Sequence, residues 1–129
     1  MAAEDAYLYG IYALDANHVW AVGGHLIGEE NYCLVYFFDG IVWEQQYTTQ
    51  CSRALLGVFA LDADHVWARG GEVYYYDGQT WELQHDFQWG WGTITYDIYS
   101  LDPEHIWLTT PLGEVYFFDG SNWEEQKLL

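Results

Sequence analysis

One stretch recurs three times in this chain, and any fold must accommodate all three copies in equivalent surroundings. The middle copy runs His65-Val66-Trp67, then Val73-Tyr74-Tyr75-Tyr76-Asp77-Gly78, then Trp81. The first runs His18-Val19-Trp20, Tyr36-Phe37-Phe38-Asp39-Gly40 and Trp43, and the third His105-Ile106-Trp107, Tyr116-Phe117-Phe118-Asp119-Gly120 and Trp123. Each copy has the same lead-in: Ile11-Tyr12-Ala13-Leu14-Asp15, Val58-Phe59-Ala60-Leu61-Asp62 and Ile98-Tyr99-Ser100-Leu101-Asp102. From His18 to His65 is 47 positions and from His65 to His105 is 40, a period typical of stacked supersecondary units. Three copies fill nearly all of the 129 residues.

Within a copy the apolar runs are short and rich in Trp, Tyr, Val and Ile, which favours strands. No stretch has a helical period. Strand a is expected at 8–14, 55–61 and 95–101, and strand b at 18–22, 65–69 and 105–109. Strand c is expected at 33–38, 72–76 and 114–118, and strand d from Trp43, over 80–85 and over 122–127. Asp-Gly between c and d is a strong hairpin signal, and Asp15-Ala16-Asn17 and its counterparts turn a into b. In the first copy the residues from Gly23 to Tyr32 are surplus to the shorter copies and are expected to form a long b-to-c connection.

Four-stranded antiparallel units of this period, with an aromatic opening the fourth strand, resemble the blades of β-propeller repeat proteins along the whole chain. Asp39-Gly40-Ile41-Val42-Trp43, Asp77-Gly78-Gln79-Thr80-Trp81 and Asp119-Gly120-Ser121-Asn122-Trp123 look like shortened Asp-box turns of sialidase-type repeats. They lack one residue between Asp and Gly, and an aromatic precedes the Asp where Ser or Thr is usual. The expected fold class is therefore all-β: one domain over 1–129 with three four-stranded antiparallel blades, about 7–50, 54–88 and 93–129. Three blades do not close a ring. A homodimer completing a six-bladed propeller is the simplest remedy, with a trimer or a fragment of a longer array as alternatives. Small oligomeric propeller lectins share this architecture.

If that family's strand order applies, a lines a central channel and d is outermost. The a-to-b and c-to-d corners then share one face, and the b-to-c and d-to-a connections share the other. Comparing the copies with one another, the first pair of corners barely changes. Departures are concentrated in residues 25–32, 48–53 and 86–92, all on the second face, where a binding site is expected.

The richest departure is His85-Asp86-Phe87-Gln88-Trp89-Gly90-Trp91-Gly92. Trp89 and Trp91 lie outside the pattern that accounts for Trp20, Trp67, Trp107, Trp43, Trp81 and Trp123 as structural repeat residues. Aromatic faces beside His85, Asp86 and Gln88 suit a sugar, which has an apolar face and a hydroxyl rim. Glu29, Glu30 and Asn31 would be neighbours. The competing reading has the two indoles plugging the gap between blades.

His18, His65 and His105 each open strand b of a different copy, so they would be spread around a ring rather than converge on a metal. Hydrogen bonding to the Asp three residues earlier is the expected role. Asp39, Asp77 and Asp119 are expected to hold their own turns. Cys33 opens strand c opposite the end of strand d, near Cys51. A disulfide is open to them in an oxidising compartment, but the N-terminus, Met1-Ala2-Ala3-Glu4-Asp5, lacks signal-peptide character. Two reduced thiols and a cytoplasmic location are the expectation.

Twenty acidic residues against three basic ones give a net charge of −17, which repels phosphate backbones and argues against nucleic-acid binding. There is no apolar run near the length of a membrane span. The resemblance to sialidase-type blades would imply an arginine triad, but Arg53 and Arg69 are the only arginines. No phosphate loop or nucleophile elbow is present. Carboxylate-pair glycoside hydrolysis would have to draw on Glu29, Glu30, Glu72, Asp86 or Glu114, whose spacing gives it no support. The expected function is therefore non-catalytic ligand binding, carbohydrate first, with no cofactor. An acidic scaffold for a basic protein is the alternative, and nucleic-acid mimicry is a further one.

Overall fold

The computed structural model describes residues 6–85, 95 and 97–128. Twelve strands form three four-stranded antiparallel sheets, and there is no helix among the described residues. The first sheet runs β1 (Tyr7–Asp15), β2 (His18–Ile27), β3 (Glu30–Phe38) and β4 (Trp43–Gln50). The second runs β5 (Gly57–Asp62), β6 (His65–Arg69), β7 (Val73–Tyr76) and β8 (Trp81–His85). The third runs β9 (Asp97–Asp102), β10 (His105–Thr109), β11 (Val115–Phe118) and β12 (Trp123–Gln126). Each sheet is a meander in which consecutive strands pair.

The repeat is visible in the register. Trp20 pairs with Tyr12 and Phe37, Trp67 with Phe59 and Tyr75, and Trp107 with Tyr99 and Phe117. Both faces of the middle sheet are apolar, so it is packed on both sides. Val66, Ala68, Tyr74 and Trp81 join Trp20, Val22, Cys33 and Val35 in one core. Trp67 and Val73, with Phe59 and Tyr75 beside them, join Ile98, Ile106 and Leu108 in a second. Trp20 and Trp67 are each 1% exposed. The first strands of successive sheets are neighbours, β1 against β5 and β5 against β9.

Three sequence expectations change. The surplus in the first copy is no loop: β2 continues to Ile27 and β3 begins at Glu30, leaving only Gly28 and Glu29 to turn the chain. Gly28 takes φ +65°, which a residue with a Cβ adopts only at a cost. His25 faces Tyr32 across the hairpin, with ring centroids 5.7 Å apart. The surplus residues therefore lengthen two strands that were already paired. The second change concerns Cys33 and Cys51, which form a disulfide with Cα atoms 5.9 Å apart rather than two free thiols. The register explains the proximity: Cys33 pairs with Thr49, and the Cys51 N–H donates to the Asn31 carbonyl at 3.0 Å.

Leu55 and Thr95, expected as the opening residues of strands a, serve as ties between sheets. The Leu55 N–H donates to the Gly23 carbonyl at 3.0 Å and the Thr95 N–H to the Gly70 carbonyl at 2.7 Å. Both residues are fully buried.

Candidate functional site

The two sides of the sheets are built differently. On one side lie the corners between first and second strands and between third and fourth strands. His18 Nδ1 lies 2.8 Å from Asp15 Oδ1, His65 Nδ1 2.7 Å from Asp62 Oδ1, and His105 Nδ1 2.8 Å from Asp102 Oδ1. A carboxylate only accepts, so the imidazole nitrogen is the donor. The backbone N–H groups of Asn17, Asp64 and Glu104 donate to the same carboxylates. At the other corner Asp39 accepts from the N–H groups of Ile41 and Val42, Asp77 from Gln79 and Thr80, and Asp119 from Ser121 and Asn122.

Those bonds favour the ionised form of each carboxylate. The imidazole of His18 first, then the Asn17 N–H, holds Asp15 below the usual carboxylate range, and His105 with Glu104 does the same for Asp102. Partial burial pushes Asp62 up, but the bonds from His65 and Asp64 together outweigh it. Asp39, Asp77 and Asp119 are lowered by their backbone donors, Val42, Thr80 and Asn122 foremost. The two kinds of corner also touch. Gly40, Gly78 and Gly120 all have φ near +100°, and a Cβ on any of them would run into the side chain of Asn17, Asp64 or Glu104. This side is locked by mutual contact in all three copies, which is reason enough for it not to vary.

The opposite side carries the described departures from the repeat, residues 25–32 and 48–53. The fourth-to-first-strand connections on this side are bonded at three places: Cys51 N–H to the Asn31 carbonyl in β3 of the same sheet, Ser52 N–H to Glu72 Oε2 at 3.3 Å, and Thr95 N–H to the Gly70 carbonyl, the last two in the next and preceding sheets' second-to-third-strand corners. Glu29, Glu30 and Asn31 stand together at the tip of the β2–β3 hairpin, and Asn31 Nδ2 donates to the Ser52 carbonyl at 3.3 Å. Leu26 and Ile27 beside them are exposed. His85 ends β8 on a different sheet, its ring 6.2 Å from that of Trp123, so it packs between the second and third sheets. Asp86, Gln88, Trp89 and Trp91 lie outside the described residues.

The repeat tryptophans divide by place. Trp20, Trp67 and Trp81 are buried, Trp107 and Trp123 half-buried, and Trp43 is 46% exposed. Arg69 is committed to the fold: its guanidinium donates to the Thr95 carbonyl at 3.1 Å and lies over Gly57, where a Cβ would collide with it. Among the described residues no three His, Cys, Asp or Glu side chains converge in a way that would hold a metal.

An open cavity of about 570 Å³ runs along the first strands of the three sheets, lined by Tyr12, Leu14, Phe59, Ala60, Leu61, Tyr99, Ser100 and Leu101. Tyr12, Phe59 and Tyr99 form a ladder, with ring centroids 5.3 Å and then 5.4 Å apart. None of these residues stands out by loop variation, because all of them repeat. Their signal is the aromatic second place of the shared lead-in. The lining has no carboxylate, imidazole, thiol or amine, so it offers packing and phenol hydroxyls but no acid–base pair.

No protein-family model matches the chain, and no curated protein matches its sequence.

Proposed function

We propose that the three sheets are blades of a β-propeller, that two copies complete a six-bladed ring, and that the ring is a non-catalytic carbohydrate-binding module. One observation carries the reading. The described departures from the repeat, residues 25–32 and 48–53, fall on the side of the sheets that carries the Cys51–Asn31, Ser52–Glu72 and Thr95–Gly70 bonds, while the other side is fixed by the aspartate corners. A rigid repeated frame presenting one variable side is the usual disposition of a binding surface. Trp89 and Trp91 would stack on the apolar face of a sugar, with Asp86, Gln88 and His85 toward its hydroxyls and Glu29, Glu30 and Asn31 flanking.

A glycan array tests this. Wild-type protein is expected to bind, and the Trp89→Ala, Trp91→Ala double variant to lose the signal while keeping its mass in solution. An array silent for the wild type overturns the carbohydrate reading. The net charge of −17 favours one second reading, an interaction scaffold for a basic protein. Capture of such a partner would weaken steeply as salt is added.

No helix among the described residues is long and apolar enough to cross a membrane. The cytoplasmic location expected from the N-terminal residues goes with reduced thiols, and the Cys33–Cys51 bond goes with an oxidising compartment. Alkylation of protein taken directly from cells, read by mass, distinguishes the two: two added groups mean the first and none the second.

A further inference from the structure

We infer that two copies of this chain meet head to tail, the open face of the first sheet in one copy packing on the open face of the third sheet in the other, in the manner of the two junctions inside the chain. The inference deepens the ring reading above by naming the surfaces and their direction.

The internal junctions define two complementary half-surfaces. A sheet presents forward the face bearing Trp20 or Trp67, with Tyr12 and Leu14 or Phe59 and Leu61 near its inner edge. The next sheet answers with the face bearing Val58 or Ile98, Val66 or Ile106, and Trp81 or Trp123. The third sheet has a forward face with no sheet after it: Trp107, Phe117, Tyr99 and Leu101. Among the described residues the first sheet has an answering face with no sheet before it: Ile11, Val19 and Trp43.

Exposure shows what is missing. Ile98 is 7% exposed beneath the second sheet, whereas its counterpart Ile11 is 68% exposed. Trp81 is 7% exposed and its counterpart Trp43 is 46%. On the forward side Tyr99 and Leu101 are 59% and 58% exposed, while their counterparts Tyr12, Leu14, Phe59 and Leu61 are all partly buried against a neighbouring sheet. Each open face thus lacks what the other supplies, and a contact built like the internal junctions is heterologous, so a closed pair contains it twice. The same step extends the Tyr12–Phe59–Tyr99 ladder, because Tyr99 of one copy arrives beside Tyr12 of the next.

A polar contact specifies the register. At the first internal junction Gln46 Oε1 accepts from Trp20 Nε1 at 3.2 Å and, across the junction, from Trp81 Nε1 at 2.7 Å. The counterparts at the seam between copies are Gln126, Trp107 and Trp43 of the second copy. The middle junction holds Trp67, Gln84 and Trp123 in these places, but there the Trp67 Nε1 and Gln84 Oε1 are buried without a hydrogen bond. Apolar packing is therefore the constant of the junction, and the glutamine bridge is an addition to it.

Light scattering after size exclusion tests the seam. Wild-type protein is expected at about twice 15.1 kDa. Ile11→Glu alone and Leu101→Arg alone place a charge in both seams of a pair and are expected to run as monomers. Leu112→Glu, at a residue 71% exposed in the β10–β11 turn, is expected to keep the pair. Mixing the two monomeric variants is expected to restore a pair, since one seam then opposes Glu to Arg and the other is wild type. Recovery also shows that both variants are folded. A wild-type monomer, a mass of three copies or more, a pair that survives either substitution, or no recovery on mixing overturns the inference. A monomer that still binds glycan leaves the binding reading standing, and a pair without a glycan signal overturns that reading alone.

Discussion

Each corner aspartate accepts two hydrogen bonds as a carboxylate, and protonation weakens both. Because the folded-state pKa values of Asp15, Asp39, Asp62, Asp77, Asp102 and Asp119 are lowered, their contribution is complete above the unfolded value of about 3.9 and is lost as pH falls through the lowered values. Urea midpoints are expected to be insensitive to these six groups between pH 7 and about 5 and to drop below about 4. Asp77→Asn keeps the acceptor oxygen but not the titration, so its acid drop is expected to be shallower; an unchanged slope would remove Asp77 from the account. Two positive-φ glycines, Gly28 in the β2–β3 turn and Gly78 at an aspartate corner, give a second contrast. Gly28→Ala meets open space and bears only the backbone cost of a positive φ, about 1 kcal/mol. Gly78→Ala adds a collision with Asp64, so it is expected to lose more than that ~1 kcal/mol in the same urea titration. These corners were legible from residue identity, since Asp-Gly and the Asp to His spacing specify local bonds.

At the level of strands, legibility followed locality. The starts at His18, His65 and His105 and at Trp43, Trp81 and Trp123 are fixed by turns a few residues away. The continuation of β2 to Ile27 was not legible from the repeat, because comparison with shorter copies marks every surplus residue as connection and is blind to the cross-strand pairing that extends a hairpin. Leu55 and Thr95 were misassigned for a related reason, as their partners Gly23 and Gly70 lie in the preceding sheet. The cysteine pair was legible as geometry, from hairpin register, but its oxidation is set by compartment chemistry that no strand pattern encodes. The bridge spans a sequence separation of 18, for which the loss of chain entropy in the unfolded state is worth about 3 kcal/mol. Replacing both cysteines by serine is expected to lower the unfolding free energy by roughly that amount; no change would mean the thiols are not paired in solution.

The whole molecule sets two forces against each other at its open faces. The repeat raises the expectation of an unclosed ring, but it does not contain the unequal exposure of Ile11 and Ile98 from which the direction of the proposed seam is argued. Against the apolar gain of covering those faces stands electrostatics: each copy carries a net charge of −17, and a pair brings two such charges together. Salt screens that repulsion over about 10 Å at 0.1 M and leaves apolar burial nearly untouched. Sedimentation equilibrium across added NaCl, from about 10 mM to about 150 mM, is therefore expected to show the pair tightening several-fold. The sign is diagnostic, because capture of a basic partner by the same acidic surface weakens under the same titration. One basic group would lie near the proposed seam. Lys127 follows β12, four residues after Trp123, where the earlier copies have Tyr47 and His85 against the Trp of the next sheet. Its ammonium would come over Trp43 of the second copy as a cation–π contact. Lys127→Met keeps the stem and removes the charge, so it is expected to weaken the pair about threefold and leave the direction of the salt effect unchanged. A pair that loosens with salt in the wild type, and loses that dependence in Lys127→Met, would mean the seam is held by attraction to Lys127 rather than by the covered faces of the first and third sheets.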